Sequence, residues 1–110
     1  MEAVTNVMLY KDNLKFFGEG PRRLLHGIEK NGSLRAAALE MNLSYSKALH
    51  MMKRAEEALG FSLTEKSIGG KGGGGSCLTK EAKVFLEKFD RYQEACYEAN
   101  SRIFNEIFSD

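Results

Sequence analysis

Apolar residues change their spacing several times along the chain, and each change marks an element. In residues 4–17, "VTNVMLYKDNLKFF", they cluster in two short runs around "KDN", which predicts two short strands and a hairpin turn. Gly18 and Gly20 end that unit, and Pro21 suits the first turn of a helix, where its missing N–H is no loss. Leu24, Leu25 and Ile28 then share one face of a helix running to about Asn31, with Gly32 just past its end. Ser33 is a good N-cap for a second helix with Leu34, Ala37, Ala38 and Met41 at i, i+3, i+4, i+7. After an Asn42-Leu43 turn, Ser44 caps a third helix, Tyr45 to Leu59, closed by Gly60.

At 100° per residue the third helix divides into two faces. Tyr45, Ala48, Leu49, Met52, Ala55 and Leu59 fall on one arc; Ser46, Lys47, His50 and Arg54 fall on the opposite one. Glu56 lies close to the apolar arc, where periodicity alone gives it no role. Two short helices with a tight turn, the second one basic, predict a helix-turn-helix. Its polar face carries hydroxyl, ammonium, imidazole and guanidinium groups, which contact base edges and phosphates in a major groove. The bland alternative is an ordinary solvated helix face.

Beyond Gly60, Phe61 and Leu63 precede a glycine-rich stretch, and Cys77 and Leu78 follow it. They read as two short strands bracketing a long loop, a wing beside the helix-turn-helix. Thr79 is a plausible N-cap with Glu81 in the first turn, and no Gly or Pro interrupts the chain to Asp110, so the remainder reads as one helix. Along it Ala82, Phe85, Phe89, Tyr92, Cys96, Ala99 and Ile103 are spaced 3, 4, 3, 4, 3, 4, shifting at the end to Ile107. That is a heptad seam, and a helix this long cannot cover it against a small core alone. A partner helix from a second copy is the expected cover, with intramolecular packing of the first half as the alternative. The chain thus divides into residues 1–78 and a C-terminal dimerisation helix, 79–110.

The overall charge of +1 hides an asymmetry. Residues 20–80 hold ten Lys/Arg against five Asp/Glu, a net +5, and the rest of the chain is net −4. A basic working surface follows, with Arg35 and Lys66 among its candidate DNA-binding residues. With 43% apolar residues the chain can bury a core. No apolar run is long enough for a membrane span, and the N-terminus lacks the pattern of a signal peptide. Cys77 and Cys96 read as reduced thiols of a cytoplasmic protein, although two Cys96 residues would approach in a parallel dimer.

Six of the eleven glycines sit in "SIGGKGGGGSCLT", residues 67–79. Lys71 is followed by Gly72 where a phosphate-binding P-loop needs Ser or Thr, and no βαβ context supports a dinucleotide site. Glycines at a wing tip let the backbone approach a sugar-phosphate chain, with Gly70, Gly72 and Gly73 offering N–H groups and Lys71 a point charge. His26 and His50 have no partners at metal-ligand spacing, and neither cysteine has a placed base. No enzyme activity, metal or cofactor is expected.

"GSLRAAALEMNLSYSKA" followed by "LTEKSIGGKGGGGSCLT" resembles the N-terminal winged helix-turn-helix of ModE-type molybdate-responsive transcription regulators, and more broadly LysR-type DNA-binding domains. The glycine string is the most specific element. The resemblance runs from about Val7 to Tyr92 and includes "FGEGPRRLL". It implies a mainly α fold with small β hairpins, and a two-fold dimer bound to double-stranded DNA. Residues 44–54 would enter the major groove and residues 66–76 form the wing. Family usage carries over to Ser44, Tyr45, Lys47 and Lys71. Two positions depart from it: Ser46 stands where a basic residue is usual, and Leu49 where tryptophan is common. One helix follows the winged region, so no direct molybdate site is expected in these residues. The competing expectations are a protein-interaction module pairing through the last helix, and an anion site at the glycine loop.

Overall fold

The computed structural model describes residues 1–67 and 75–109. The N-terminal hairpin forms between β1 (Leu9–Lys11) and β2 (Leu14–Phe17), antiparallel, around Asp12 and Asn13. Both turn residues have positive φ, 51° and 65°. That pairing suits the right-handed twist of a two-residue hairpin, and Asp and Asn tolerate the left-handed region better than other non-glycine residues. The strands are shorter than the 4–17 reading. Residues 3 to 8 instead run without strand pairing, and Asn100 Nδ2 donates to the Ala3 carbonyl at 2.7 Å.

Three helices follow. α1 (Glu19–Asn31) starts two residues before Pro21, which still lies in the first turn. α2 (Leu34–Glu40) is capped by Ser33, whose Oγ accepts from the Ala36 N–H at 2.9 Å. α3 (Tyr45–Leu59) is capped in the same way by Ser44, which accepts from the Lys47 N–H at 3.1 Å. Gly32 and Gly60 close α1 and α3 in the left-handed conformation, as their positions predict. Lys11 Nζ donates to the Ala58 carbonyl at 2.9 Å, placing a cation at the negative end of α3 and tying the hairpin to it.

The wing strands are β3 (Thr64–Ser67) and β4 (Gly75–Leu78), antiparallel, with Thr64 opposite Leu78 and Ser67 opposite Gly75. Cys77 and Leu78 are in the second strand as predicted, but Phe61 and Leu63 precede the first. Leu63 is fully buried and anchors the approach to β3 rather than pairing in it. Its N–H donates to Glu56 Oε2 at 2.8 Å, which gives that carboxylate its place beside the apolar arc. Glu56→Ala would leave a buried N–H without an acceptor. We expect a loss of about 1–3 kcal/mol in urea unfolding, with Glu56→Gln losing less.

Thr79 then serves two elements. Its Oγ1 accepts from the Ala82 N–H at 3.1 Å, capping α4 (Lys80–Phe108), and donates to the Ser62 carbonyl at 2.7 Å. The core collects Phe17, Leu24, Leu25, Ile28, Ala48, Met52, Ala55 and Leu63 with the first turns of α4. Phe17 is the largest fully buried side chain, and its ring meets Phe85 and Phe89 edge-on, each at 4.8 Å between centroids. Asp90 adds a polar clamp between α4 and α1, accepting from Arg22 Nε at 2.6 Å and lying 2.7 Å from His26 Nε2. The hydrogen bond to Asp90 raises the Arg22 guanidinium above its ordinary pKa, against the opposing effect of partial burial, with Glu19 assisting.

The heptad seam therefore divides. Ala82 and Phe89 are buried in the chain's own core, and Phe85 is half-buried against it. This alters the expectation that Phe85 and Phe89 serve a second copy: a stripe of that period fits a core as well as a partner, and here Phe17 fills the space facing it. Beyond Gln93 no described residue of α4 is buried. Tyr92, Ile103 and Ile107 are exposed, and Cys96 and Ala99 half-exposed. At 1.5 Å per residue α4 is about 43 Å long, so much of the molecule's 60 Å long axis is this helix.

Candidate nucleic-acid interface

The two faces of α3 are those its periodicity predicts. Ala48, Met52 and Ala55 are buried, while Ser44, Ser46, Lys47, His50 and Arg54 are exposed. Tyr45 and Leu59 at the ends of the apolar arc are only partly covered. Residues 44–54 contain no carboxylate. Arg54 Nη2 donates to His50 Nε2 at 3.1 Å, so the two side chains stand one above the other along the helix. Lys53, which the angular reading passes over, is also exposed and flanks this face.

The α2–α3 turn is as tight as predicted. The Leu43 N–H donates to the Ala38 carbonyl at 2.9 Å, and Asn42 takes a φ of 56°. This brings Arg35, in the first turn of α2, beside Tyr45, in the first turn of α3. The Arg35 guanidinium carbon lies 4.3 Å from the centroid of the Tyr45 ring. The wing rises next to them. An open groove of about 330 Å³ runs between, lined by Ser33, Arg35, Tyr45, Lys66, Ser67 and Ser76 among others. Ser33 was read from the sequence only as an N-cap, and Ser67 and Ser76 were given no role there. Their common location depends on how the wing meets α2, which no local pattern encodes.

That meeting is fixed at the backbone. The Ser76 N–H donates to the Gly32 carbonyl at 2.8 Å. Gly75 sits so close that a Cβ there would lie 2.8 Å from the same oxygen. Gly75→Ala should therefore push β4 away from the α1–α2 turn. The expected outcome is a several-fold loss of DNA affinity with a modest fall in melting temperature, read by fluorescence anisotropy and circular dichroism. Glycines 70, 72 and 73 and Lys71 lie outside the described residues. Among the described residues no group of three or more His, Cys, Asp or Glu is placed to hold a metal ion.

The family model described as the bacterial regulatory helix-turn-helix protein, lysR family, matches residues 23–83. The chain belongs to this family. The matched span runs from Arg23, within α1, to the first turn of α4 and includes the elements that carry the basic face and the groove. Among characterised relatives, the chain is similar to the DNA-binding transcriptional dual regulator ModE of Escherichia coli strain K12, 33% identical over 78 residues. It is also similar to the transcriptional regulator ModE of Haemophilus influenzae, 35% identical over 68 residues. These alignments cover 69% and 62% of this chain but only 29% and 27% of the relatives. The chain thus spans less than a third of the length of the ModE proteins it matches.

Solved structures agree on the fold of this LysR-family chain. The crystal structure of the CbnR_DBD–DNA complex superposes with a TM-score of 0.62 at 24% identity, covering 81% of this chain and 98% of that one. The crystal structure of CbnR, a LysR family transcriptional regulator, gives 0.59 at 25% identity, covering 79% of this chain and 29% of that one. The fold is a winged helix-turn-helix with a long final helix. No helix among the described residues is long and apolar enough to cross a membrane.

Proposed function

We propose that this chain is a sequence-specific DNA-binding transcriptional regulator of ModE type. It acts as a two-fold dimer, with α3 in the major groove and the wing on the sugar-phosphate backbone. The observation that carries this reading is the exposed face of α3. Ser46, Lys47, His50 and Arg54 are exposed to solvent on a helix whose other side is locked into the core, with no carboxylate from 44 to 54. Hydroxyl and imidazole groups suit base edges, while ammonium and guanidinium groups suit both bases and phosphates. Family membership and the ModE relatives support the same assignment.

The test is anisotropy titration with a random pool of duplexes about 30 base pairs long, at several salt concentrations, followed by selection and sequencing of the bound fraction. A steep salt dependence with an enriched two-fold repeat is the expected result. Salt-dependent binding without enrichment would reduce the role to generic DNA binding. No binding at low salt would overturn the reading.

A second reading has its own observation. Ile103, Ile107 and Phe108 leave apolar surface exposed on the distal half of α4, which suits pairing with a protein. In the regulator reading this surface, with Tyr92, Cys96 and Ala99, pairs with a second copy. Sedimentation equilibrium separates the two: a homodimer supports self-pairing, and a monomer at tens of micromolar supports a foreign partner.

A further inference from the structure

The groove between α3 and the wing carries two cations, Arg35 and Lys66, and the hydroxyls of Ser33, Ser67 and Ser76; among the described residues no carboxylate lines it. Ser33 Oγ accepts from the Ala36 N–H of its own helix and keeps its O–H, so all three hydroxyls have a proton to donate. An open surface groove suits one link of a continuing polymer better than a small molecule that needs enclosure on most sides.

Arg35 is exposed, and a free arginine side chain loses considerable rotamer entropy when it binds. The Tyr45 ring offsets that loss in advance. The contact is a cation–π one, and among the described residues no side-chain hydrogen bond or salt bridge engages the Arg35 N–H groups, which match phosphate oxygens. Tyr45 is itself anchored as the first residue of a helix whose cap is made by Ser44.

We propose that this groove seats one phosphodiester of the DNA backbone and that Tyr45 is a positioning residue, holding the Arg35 guanidinium ready to donate to it rather than reading a base. The proposal rests on the DNA-binding reading and deepens it. It assigns Arg35 and Tyr45 one joint role, where the sequence suggests two separate contacts.

A double-mutant cycle tests this with one fixed duplex of about 30 base pairs at low salt. Arg35→Ala is expected to weaken binding about tenfold, the scale of one charge-assisted hydrogen-bonded contact, and to lower the log–log salt slope by about 0.9. In a Tyr45→Phe background, which keeps the ring, Arg35→Ala should again cost about tenfold. In a Tyr45→Leu background the further cost should fall to about threefold, because the unstacked arginine is already less effective. Equal Arg35→Ala ratios in all three backgrounds would overturn the positioning role while leaving the regulator reading intact. An unchanged salt slope in Arg35→Ala would overturn the phosphate assignment. If wild-type protein does not bind the duplex at all, the regulator reading fails and takes this proposal with it. Circular dichroism melts of each variant confirm that these exposed and half-exposed positions have not altered the fold.

Discussion

Phe17→Ala is expected to destabilise the protein by about 3–5 kcal/mol, the range for truncating a fully buried phenylalanine. Phe17 ends β2, is fully buried, and meets Phe85 and Phe89 from α4 at 4.8 Å each. Truncation removes the transfer free energy of the ring, leaves a cavity and abolishes two edge-to-face pairs. A domain of this size has a total stability of about 5–15 kcal/mol, so the variant should unfold near ambient temperature or lose at least 12 °C or so in melting temperature. The same residue joins the hairpin to the long helix, so its loss should also loosen the attachment of α4 to the winged region. Leu14→Ala on the same strand supplies the control: Leu14 is 71% exposed, and its truncation should change stability by about 0.5 kcal/mol or less. Thermal and urea unfolding of both variants measure the difference. A Phe17→Ala protein that melts within a few degrees of wild type would mean that the hairpin does not dock as described.

Some of the architecture was legible because its cause is local. Ser33, Ser44 and Thr79 cap α2, α3 and α4 through hydrogen bonds spanning three residues, and Gly32 and Gly60 end helices through their own backbone angles. Such features depend on a few neighbouring residues and are visible in any window that contains them. The polar face of α3 was legible for the same reason, since one period relates Ser46, Lys47, His50 and Arg54.

What was misplaced depends on distant partners. Phe61 and Leu63 alternate like a strand, but Leu63 is held by Glu56, seven residues back, and by Thr79, whose N–H donates to its carbonyl at 3.0 Å. Periodicity cannot separate a strand residue from one pulled inward by such ties. Phe89 shows the matching limit on helices. Repeats of 3.5 and 3.6 drift apart by only about 20° per heptad, so over three turns a core stripe and a dimer seam look alike. The Arg35–Tyr45 stack was missed as a unit because stacking requires the α2–α3 turn to fold first. Both residues were visible one by one as basic and aromatic positions, and their joint geometry was not.

Lys47→Ala combined with Arg54→Ala is expected to abolish most DNA affinity while leaving the fold intact. Both side chains are exposed, and neither belongs to a salt bridge among the described residues. Removing them should therefore change stability by no more than about 0.5 kcal/mol. If each neutralises one phosphate, the slope of log affinity against log salt falls by about 0.9 per residue. The double variant should then bind on the order of 100-fold more weakly at low salt, the gap narrowing as salt rises. The two residues lie on one face but differ in depth along it: Lys47 is in the first turn of α3 and Arg54 two turns later. A residue reading a base loses discrimination at one position of the selected sequence when truncated, whereas a phosphate contact weakens all sequences alike. Repeating the selection with each single variant sorts them. Because Arg54 also donates to His50, its truncation frees the imidazole to turn. A relaxed preference at one base pair in Arg54→Ala, absent from Lys47→Ala, would mark the Arg54–His50 pair as the reader of sequence and Lys47 as the contact that sets the register.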